Sequence, residues 1–337
     1  MIDLHLHLDG SLNLKNILKM AQMAGVVLPC TDEEEIRANM VVDPECTNLG
    51  EYLGKFDLSL GLLQTAECIE YAVYELIRDL KEKGLCYAEI RFAPQLHLRK
   101  GLTQTEVVEA ALRGRNKGIR DFGITVNLIL CCLRFDQNRA ENMETVTVAE
   151  QFLGKGVCAV DLAGNEAAYP TETFQDIFAA AKEKSVPVVI HAGEAAGPES
   201  MWHALNFGAL RIGHGIHAIE DAKLMQELKE KKIFLEMCYS SNLQTKTVER
   251  VEDYPLATFL AHGIAVTLNT DNLTVSDTSL QREYALVQNQ FDLSDDTLKA
   301  IAKNAVDGAF LSAEEKETLK KQIDREFSIW LHGQSKK

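Results

Sequence analysis

Two kinds of hydrophobic pattern alternate along the chain. In the first, apolar residues occupy consecutive positions over short runs, as in VPVVIH (186–191) and IAVTLN (264–269). A strand that is apolar on both alternating sides is buried on both faces, as in a parallel sheet. Strands are predicted over 1–7, 85–93, 124–131, 157–162, 186–191, 211–213, 233–237 and 264–268. In the second pattern, apolar residues return every three or four positions. TAECIEYAVYELIRDLKEK (65–83) places Ile69, Ala72, Val73, Leu76, Ile77 and Leu80 on one helical face and stops at Gly84. Segments 103–117 and 173–184 read the same way.

Eight strands separated by helices predict an α/β fold, a (β/α)8 TIM-type barrel, in preference to an open doubly wound sheet. Residues 9–64 are long for one strand-to-helix connection and carry helix-like pieces without a strand. They are expected to form an inserted helical cap over the barrel mouth after strand 1. Residues 294–337 are expected to add C-terminal helices that end in a frayed, Lys-rich tail. The 337 residues are read as a single domain.

Charge narrows the partners. With 35 Lys+Arg against 50 Asp+Glu the net charge is −15, which opposes extended contact with nucleic acid or an anionic membrane surface. No apolar run approaches the roughly 18 residues of a membrane span. Acidic Asp3 and two histidines follow Met1 almost at once, unlike a secretory signal. The eight cysteines (30, 46, 68, 86, 131, 132, 158 and 238) form no CxxC pair. Buried thiols in a reducing cytoplasm are the expected reading. Oligomeric state is not legible.

Four clusters carry candidate chemistry, all near predicted strand ends. His5 and His7 lie two apart on the first strand, so both imidazoles point the same way. They suit one metal, or a solvated strand face. His191-Ala-Gly-Glu194 ends the fifth strand, where an apolar wall would raise the pKa of Glu194 and suit it to proton donation. Arg211-Ile-Gly-His214-Gly-Ile-His217 ends the sixth, with His217 read as supporting the site or as plain surface. Leu268-Asn-Thr-Asp271-Asn272 ends the eighth, where a buried Asp needs a cation. Three histidines and one aspartate suit Zn²⁺ with one position left for water. Asp161 and Glu236 fit either orientation of the site histidines or a structural ion pair.

HLHLDGS, DLAGNE, HAGE, RIGHG with EMCYSSN, and LNTD, in this order over residues 5–272, resemble the signatures of the adenosine deaminases, within the metal-dependent amidohydrolase superfamily. The resemblance implies one Zn²⁺ per chain on His5, His7, His191 and Asp271. It implies Glu194, His214 and Asp271 as catalytic residues, with Glu194 protonating purine N1 and His214 orienting or deprotonating the attacking water. It implies substrate contacts from His7, from Asp9 (ribose 5′-hydroxyl), from the Gly164 backbone (purine N3) and from Asn272. Leu49, Tyr52, Leu53 and Phe56 fall on the family's apolar gate, with helix-core packing as the other reading of Tyr52.

The implied reaction is hydrolytic deamination of adenosine or 2′-deoxyadenosine to inosine or 2′-deoxyinosine and ammonia. The small-molecule partner is therefore a purine nucleoside. One residue departs from the pattern. The family's usual second Asp, which contacts purine N7, is Asn272 here, and an amide N–H donates at any pH whereas a carboxyl must be protonated. This keeps open another 6-aminopurine substrate: adenine, an N6-methylated adenosine or AMP, or an aminofutalosine-type compound. Asp9 favours a nucleoside hydroxyl over a phosphate. Two other readings are weaker: a barrel that has lost catalysis, and a two-metal hydrolase, which would want a Lys where strand four ends in Asp-Leu-Ala-Gly. The other zinc deaminase class, with H-x-E and P-C-x-x-C, has no match.

Overall fold

The computed structural model describes residues 1–28 and 31–333. Cys30 and the Lys-rich tail, both read above from sequence, lie outside the described residues.

All eight expected strands form: β1 (Ile2–His7), β2 (Tyr87–Phe92), β3 (Thr125–Arg134), β4 (Val157–Gly164), β5 (Val189–Ala192), β6 (Arg211–His214), β7 (Phe234–Met237) and β8 (Val266–Leu268). They pair in parallel in two runs, β1-β2-β3-β4 and β5-β6-β7-β8. Two single bridges join the runs into a ring. Val160 pairs with Val188, its N–H reaching Pro187 O at 2.9 Å. Leu6 pairs with Asp271, with His7 N to Asp271 O and Asp271 N to His5 O both at 2.8 Å. The second bridge closes the barrel through the candidate site itself, and the open-sheet alternative is excluded.

Strand ends shift where backbone chemistry requires it. β5 starts at Val189, three residues later than expected, because Pro187 has no N–H for a ladder. β3 runs three residues further, since Leu133 and Arg134 pair with Ala163 and Gly164.

The helices follow their caps. Between β1 and β2 lie α1 (Leu14–Ala24), α2 (Glu33–Met40), α3 (Leu49–Leu53), α4 (Asp57–Leu62) and α5 (Ala66–Glu82). Thr65 caps α5 through the Cys68 N–H, and Gly84 follows its end at φ +77°. α6 (Gln104–Phe122) opens on a Thr103/Glu106 capping box and extends five residues past its expected end. The segment expected to be helical from 173 begins as a 3-10 turn (Thr171–Phe174) before the helix Gln175–Glu183.

The described residues of the stretch 9–64 are helical without a strand, as expected, and build a small core of their own. Val42, Cys46, Tyr52 and Phe56 cluster with Val275 from the loop after β8, apart from the main core. At the C-terminus, helices Leu280–Phe291, Asp295–Gly308 and Ala313–His332 complete the fold, and the Trp330 indole donates to Lys83 O at 3.1 Å. The seven described cysteines are free thiols. No helix among the described residues is long and apolar enough to cross a membrane.

α5 and α6 cross closely at Gly114, where a Cβ would stand 2.3 Å from the Glu70 carbonyl oxygen. Alanine is favoured over glycine inside a helix by up to about 1 kcal/mol. Forcing two packed helices apart costs about 1–3 kcal/mol. Gly114→Ala is therefore expected to lose about 1–2 kcal/mol in urea unfolding. A raised urea midpoint would show that the crossing has slack.

Candidate metal centre and active site

The carboxyl ends of the strands bring the four sequence clusters to one place. The His5 ring centroid lies 4.5 Å from that of His191, 4.9 Å from that of His214 and 5.3 Å from that of His7. Asp271 Oδ1 stands 3.4 Å from both His5 Nε2 and His7 Nε2, and His7 Nε2 is 3.3 Å from His191 Nε2. His5 Nε2 is buried without a hydrogen-bond partner. Burial holds the His7 and His191 imidazoles below the usual histidine range. The ligand atoms of His5, His7 and Asp271 lie within 4.8 Å of one another, as do those of His5, His191 and His214, and imidazole nitrogens with a carboxylate oxygen form a donor set that fits a divalent cation.

Hydrogen bonds on the far side of each ring set which nitrogen faces inward. His5 Nδ1 meets Glu236 Oε2 at 2.8 Å, and His191 Nδ1 meets Asp161 Oδ2 at 2.9 Å. A carboxylate accepts the Nδ1 proton, so both Nε2 lone pairs point into the cluster. The carboxylates are themselves held by arginines inside the barrel. Arg91 bonds Asp161 at 3.0 Å and Glu236 at 2.9 Å, and Arg211 bridges Glu236 to Glu89. Burial opposes charge on Asp161 and Glu236. His191 and Arg91 nevertheless hold the Asp161 carboxyl well below the usual range, and Arg91 and Arg211 do the same for Glu236. Asp161 and Glu236 thus fill both roles left open by the sequence: they orient histidines and they are members of an ion network.

His214 has the opposite polarity. Asn242 Nδ2 donates to its Nδ1 at 2.9 Å. The Asn242 carbonyl oxygen accepts the Cys238 N–H at 3.4 Å and the Tyr254 hydroxyl at 3.3 Å, which fixes the amide's orientation. Neutral His214 therefore carries its proton on Nε2, facing the site, 3.6 Å from Glu194 Oε2. His214 and Asp271 both adopt left-handed backbone, at φ +62° and +58°, a conformation uncommon outside glycine. Ser241 Oγ donates to Asp271 Oδ2 at 2.6 Å, leaving Oδ1 to the histidines. The Glu194 carboxyl is pushed well above its usual range by burial and by the negative charges of Asp271 and Glu166, which favours the protonated acid.

A cavity of about 450 Å³ opens over this cluster, a size suited to a small molecule. His7, Asp9, Gly164, Glu194, His214 and Asn272 line it. Leu49, Tyr52, Leu53 and Phe56 line it as well. Asp9 Oδ1 is buried without a partner, and burial pushes its carboxyl up to about 6. Tyr52 combines both readings the sequence allowed: its ring packs in the small core around Val42 and Phe56, and its hydroxyl bonds Ser276 Oγ at 2.6 Å and accepts from Asn272 Nδ2 at 2.9 Å. Gly10 makes room for Asn272, since a Cβ there would fall 1.7 Å from Asn272 Oδ1. His217 lies on a partly exposed turn, its Nδ1 2.6 Å from Glu220, and takes no part in the cluster.

Sequence reasoning missed Arg91, Glu89, Ser241, Asn242 and Glu166, and gave Arg211 no role. An arginine inside an otherwise buried strand such as YAEIRF demands a partner, and that signal was present. Asn242 and Glu166 stand within quoted motifs, yet only the fold shows what they touch.

The sequence matches the adenosine deaminase family over residues 1–326. It is 50% identical over 330 residues to a protein of Haemophilus ducreyi named adenosine deaminase, covering 97% of this chain and 96% of that one. It is 43% identical over 326 residues to a protein of the same name from Enterococcus faecalis, at 97% and 96% coverage. Among solved structures, the adenine deaminase of Arthrobacter aurescens superposes with a TM-score of 0.88 at 26% identity, covering 97% of this chain and 98% of that one. The chain belongs to the adenosine deaminase family.

Proposed function

We propose that this protein hydrolyses adenosine and 2′-deoxyadenosine to inosine and 2′-deoxyinosine with release of ammonia, using one zinc ion per chain. The observation that carries the reading is the meeting, at one end of the barrel, of a buried carboxyl that its surroundings push well up (Glu194), an Nε2–H donor (His214) and the clustered side chains of His5, His7, His191 and Asp271. In this reading residues 9–64 serve as the cap of a single catalytic unit, with Leu49, Tyr52, Leu53 and Phe56 as its apolar gate. The free thiols suit a reducing compartment such as the cytoplasm.

A zinc ion held by these residues would supply a nucleophilic water at neutral pH by lowering its pKa. The protein's own groups do the rest. As the water oxygen bonds to C6, Glu194 delivers its proton to N1, so the ring does not accumulate negative charge. Asp271 accepts the first proton of the water. His214 donates its Nε2–H to the oxygen joining C6 and orients it. The C6–N bond then breaks, the leaving amino group takes the proton from Asp271, and ammonia departs. The remaining hydroxyl proton returns to Glu194 as the 6-oxo group forms. Asp9 accepts a hydrogen bond from the ribose 5′-hydroxyl, His7 borders the sugar, the Gly164 N–H meets N3, and Asn272 donates its remaining amide N–H to N7.

The wall offers little to a phosphate. The terminal nitrogens of its arginine, Arg134, already donate to Tyr169 O, Thr171 Oγ1 and His191 O, at 2.8, 2.8 and 2.6 Å, which leaves only the buried Nε without a partner. The relatives' shared name also weighs against another 6-aminopurine as the main substrate.

Ammonia release from adenosine, 2′-deoxyadenosine, adenine, AMP and N6-methyladenosine, assayed side by side, tests the substrate. The two nucleosides are expected to exceed adenine and AMP by about 100-fold or more in kcat/KM, as in sites that hydrogen-bond what the rejected analogue lacks. Preference for adenine or AMP would overturn the reading. Metal analysis should find about one zinc per chain, a strong chelator should abolish turnover, and added zinc should restore it. Full turnover in protein shown to be metal-free would sink the zinc assignment. Asn272→Asp is expected to change kcat/KM for adenosine by about 10-fold, the scale of one hydrogen bond to a buried group. No change for any purine tried would remove Asn272 from N7.

A further inference from the structure

Glu166 stands two residues beyond β4 and is almost wholly buried. Its carboxylate is turned toward the loop that follows β5. Oε1 accepts the Gly193 N–H at 2.9 Å, and Oε2 accepts the N–H groups of Glu194, Ala195 and Ala196 at 2.9, 2.8 and 3.1 Å. The Ser200 hydroxyl donates to Oε1 as well, and is held in turn by Thr171 at 2.6 Å. Four consecutive backbone amides can face one anion only if the chain curls around it, as in other backbone anion nests. The left-handed backbone of Gly193, at φ +69°, supplies that curl.

Glu194 sits inside this curl. Its own N–H and those on either side are fixed on Glu166, whereas its carboxyl makes no hydrogen bond with the described residues and lies 3.6 Å from His214 Nε2. A proton donor must meet its acceptor at hydrogen-bond distance, and this one is placed by its backbone alone. A plain anchor for a buried loop would need one or two bonds. Here a full negative charge is buried to gather every amide around the single residue that has to reach the base.

We infer that Glu166 is a positioning residue of the deamination: it locks residues 193–196 so that the Glu194 carboxyl meets purine N1. The inference rests on the proposed deaminase reading. Glutamine at 166 has nearly the same shape but offers one acceptor oxygen, and its NH2 would face N–H donors. At least one of the four amides must then turn away, carrying Glu194 with it. Glu166→Asp falls short by one methylene and should behave alike.

The test separates reach to N1 from general damage. Wild type, Glu166→Gln and Ser200→Ala are compared by kcat/KM for adenosine and by the inhibition constant of 1-deazaadenosine, which has a C–H in place of N1. A shift of the order of 1 Å in a reacting group costs about 100-fold. Glu166→Gln is expected to lose about that factor in kcat/KM and to hold the 1-deazaadenosine constant within about twofold. Ser200→Ala, which keeps the charge and the backbone bonds, should show the same pattern at about 3- to 10-fold, and it decides the matter if Glu166→Gln does not fold. Equal losses for substrate and inhibitor would make Glu166 a structural anchor only and overturn the inference, as would unchanged kcat/KM in either folded variant. Absence of turnover in the wild type would instead refute the deaminase reading.

Discussion

A line of alternating buried charges, Glu89–Arg211–Glu236–Arg91–Asp161, crosses the inside of the barrel, and the site above depends on it. Each carboxylate and guanidinium has been taken out of water, which is costly unless every partner is present. Removing one member would leave an uncompensated buried charge, at about 3–5 kcal/mol. The network is therefore a rigid frame. Two of its acids accept Nδ1 protons from His5 and His191, so electrostatics deep in the barrel decide which way the imidazole lone pairs face at its mouth.

The same chemistry assigns opposite roles to similar side chains. His5 and His191 are backed by carboxylates and present lone pairs, as cation ligands must. His214 is backed by the Asn242 amide and presents a hydrogen. Two acids divide in the same manner: burial and negative neighbours push the Glu194 carboxyl up, whereas the contact with His5, ahead of the other histidines, holds the Asp271 carboxyl low against its burial. Barrel closure also runs through this centre, because Asp271 pairs with β1 on both sides of Leu6. A change that shifts β8 against β1 would disturb the fold and the chemistry together.

The apolar part of the cavity lining depends on a small, separate core. Tyr52 packs there and bonds to Asn272, while Val275 from the loop after β8 joins the same cluster. The apolar wall and the loop bearing Asp271 and Asn272 are thus mechanically continuous. Gly10 completes the join by yielding its Cβ position to the Asn272 amide.

The sequence by itself determined the eight strands, the helical insertion after the first, the stop of one helix at Gly84 and the set of histidines and acids at strand ends. Those signals are local: consecutive apolar runs, 3.6-residue periodicity, a Gly at a helix end, and i, i+2 spacing on one strand. Strand edges moved where pairing depended on a neighbour, as at Pro187 and Arg134. The tertiary structure alone decided which residues close the ring, the histidine tautomers, and the partners of Arg91, Arg211, Asn242 and Glu166. Each of these rests on contacts between residues distant in the chain, such as His5 with Glu236 or Arg91 with Asp161. A hydrogen bond's direction is set by whatever lies opposite it, and only the folded chain brings that partner near.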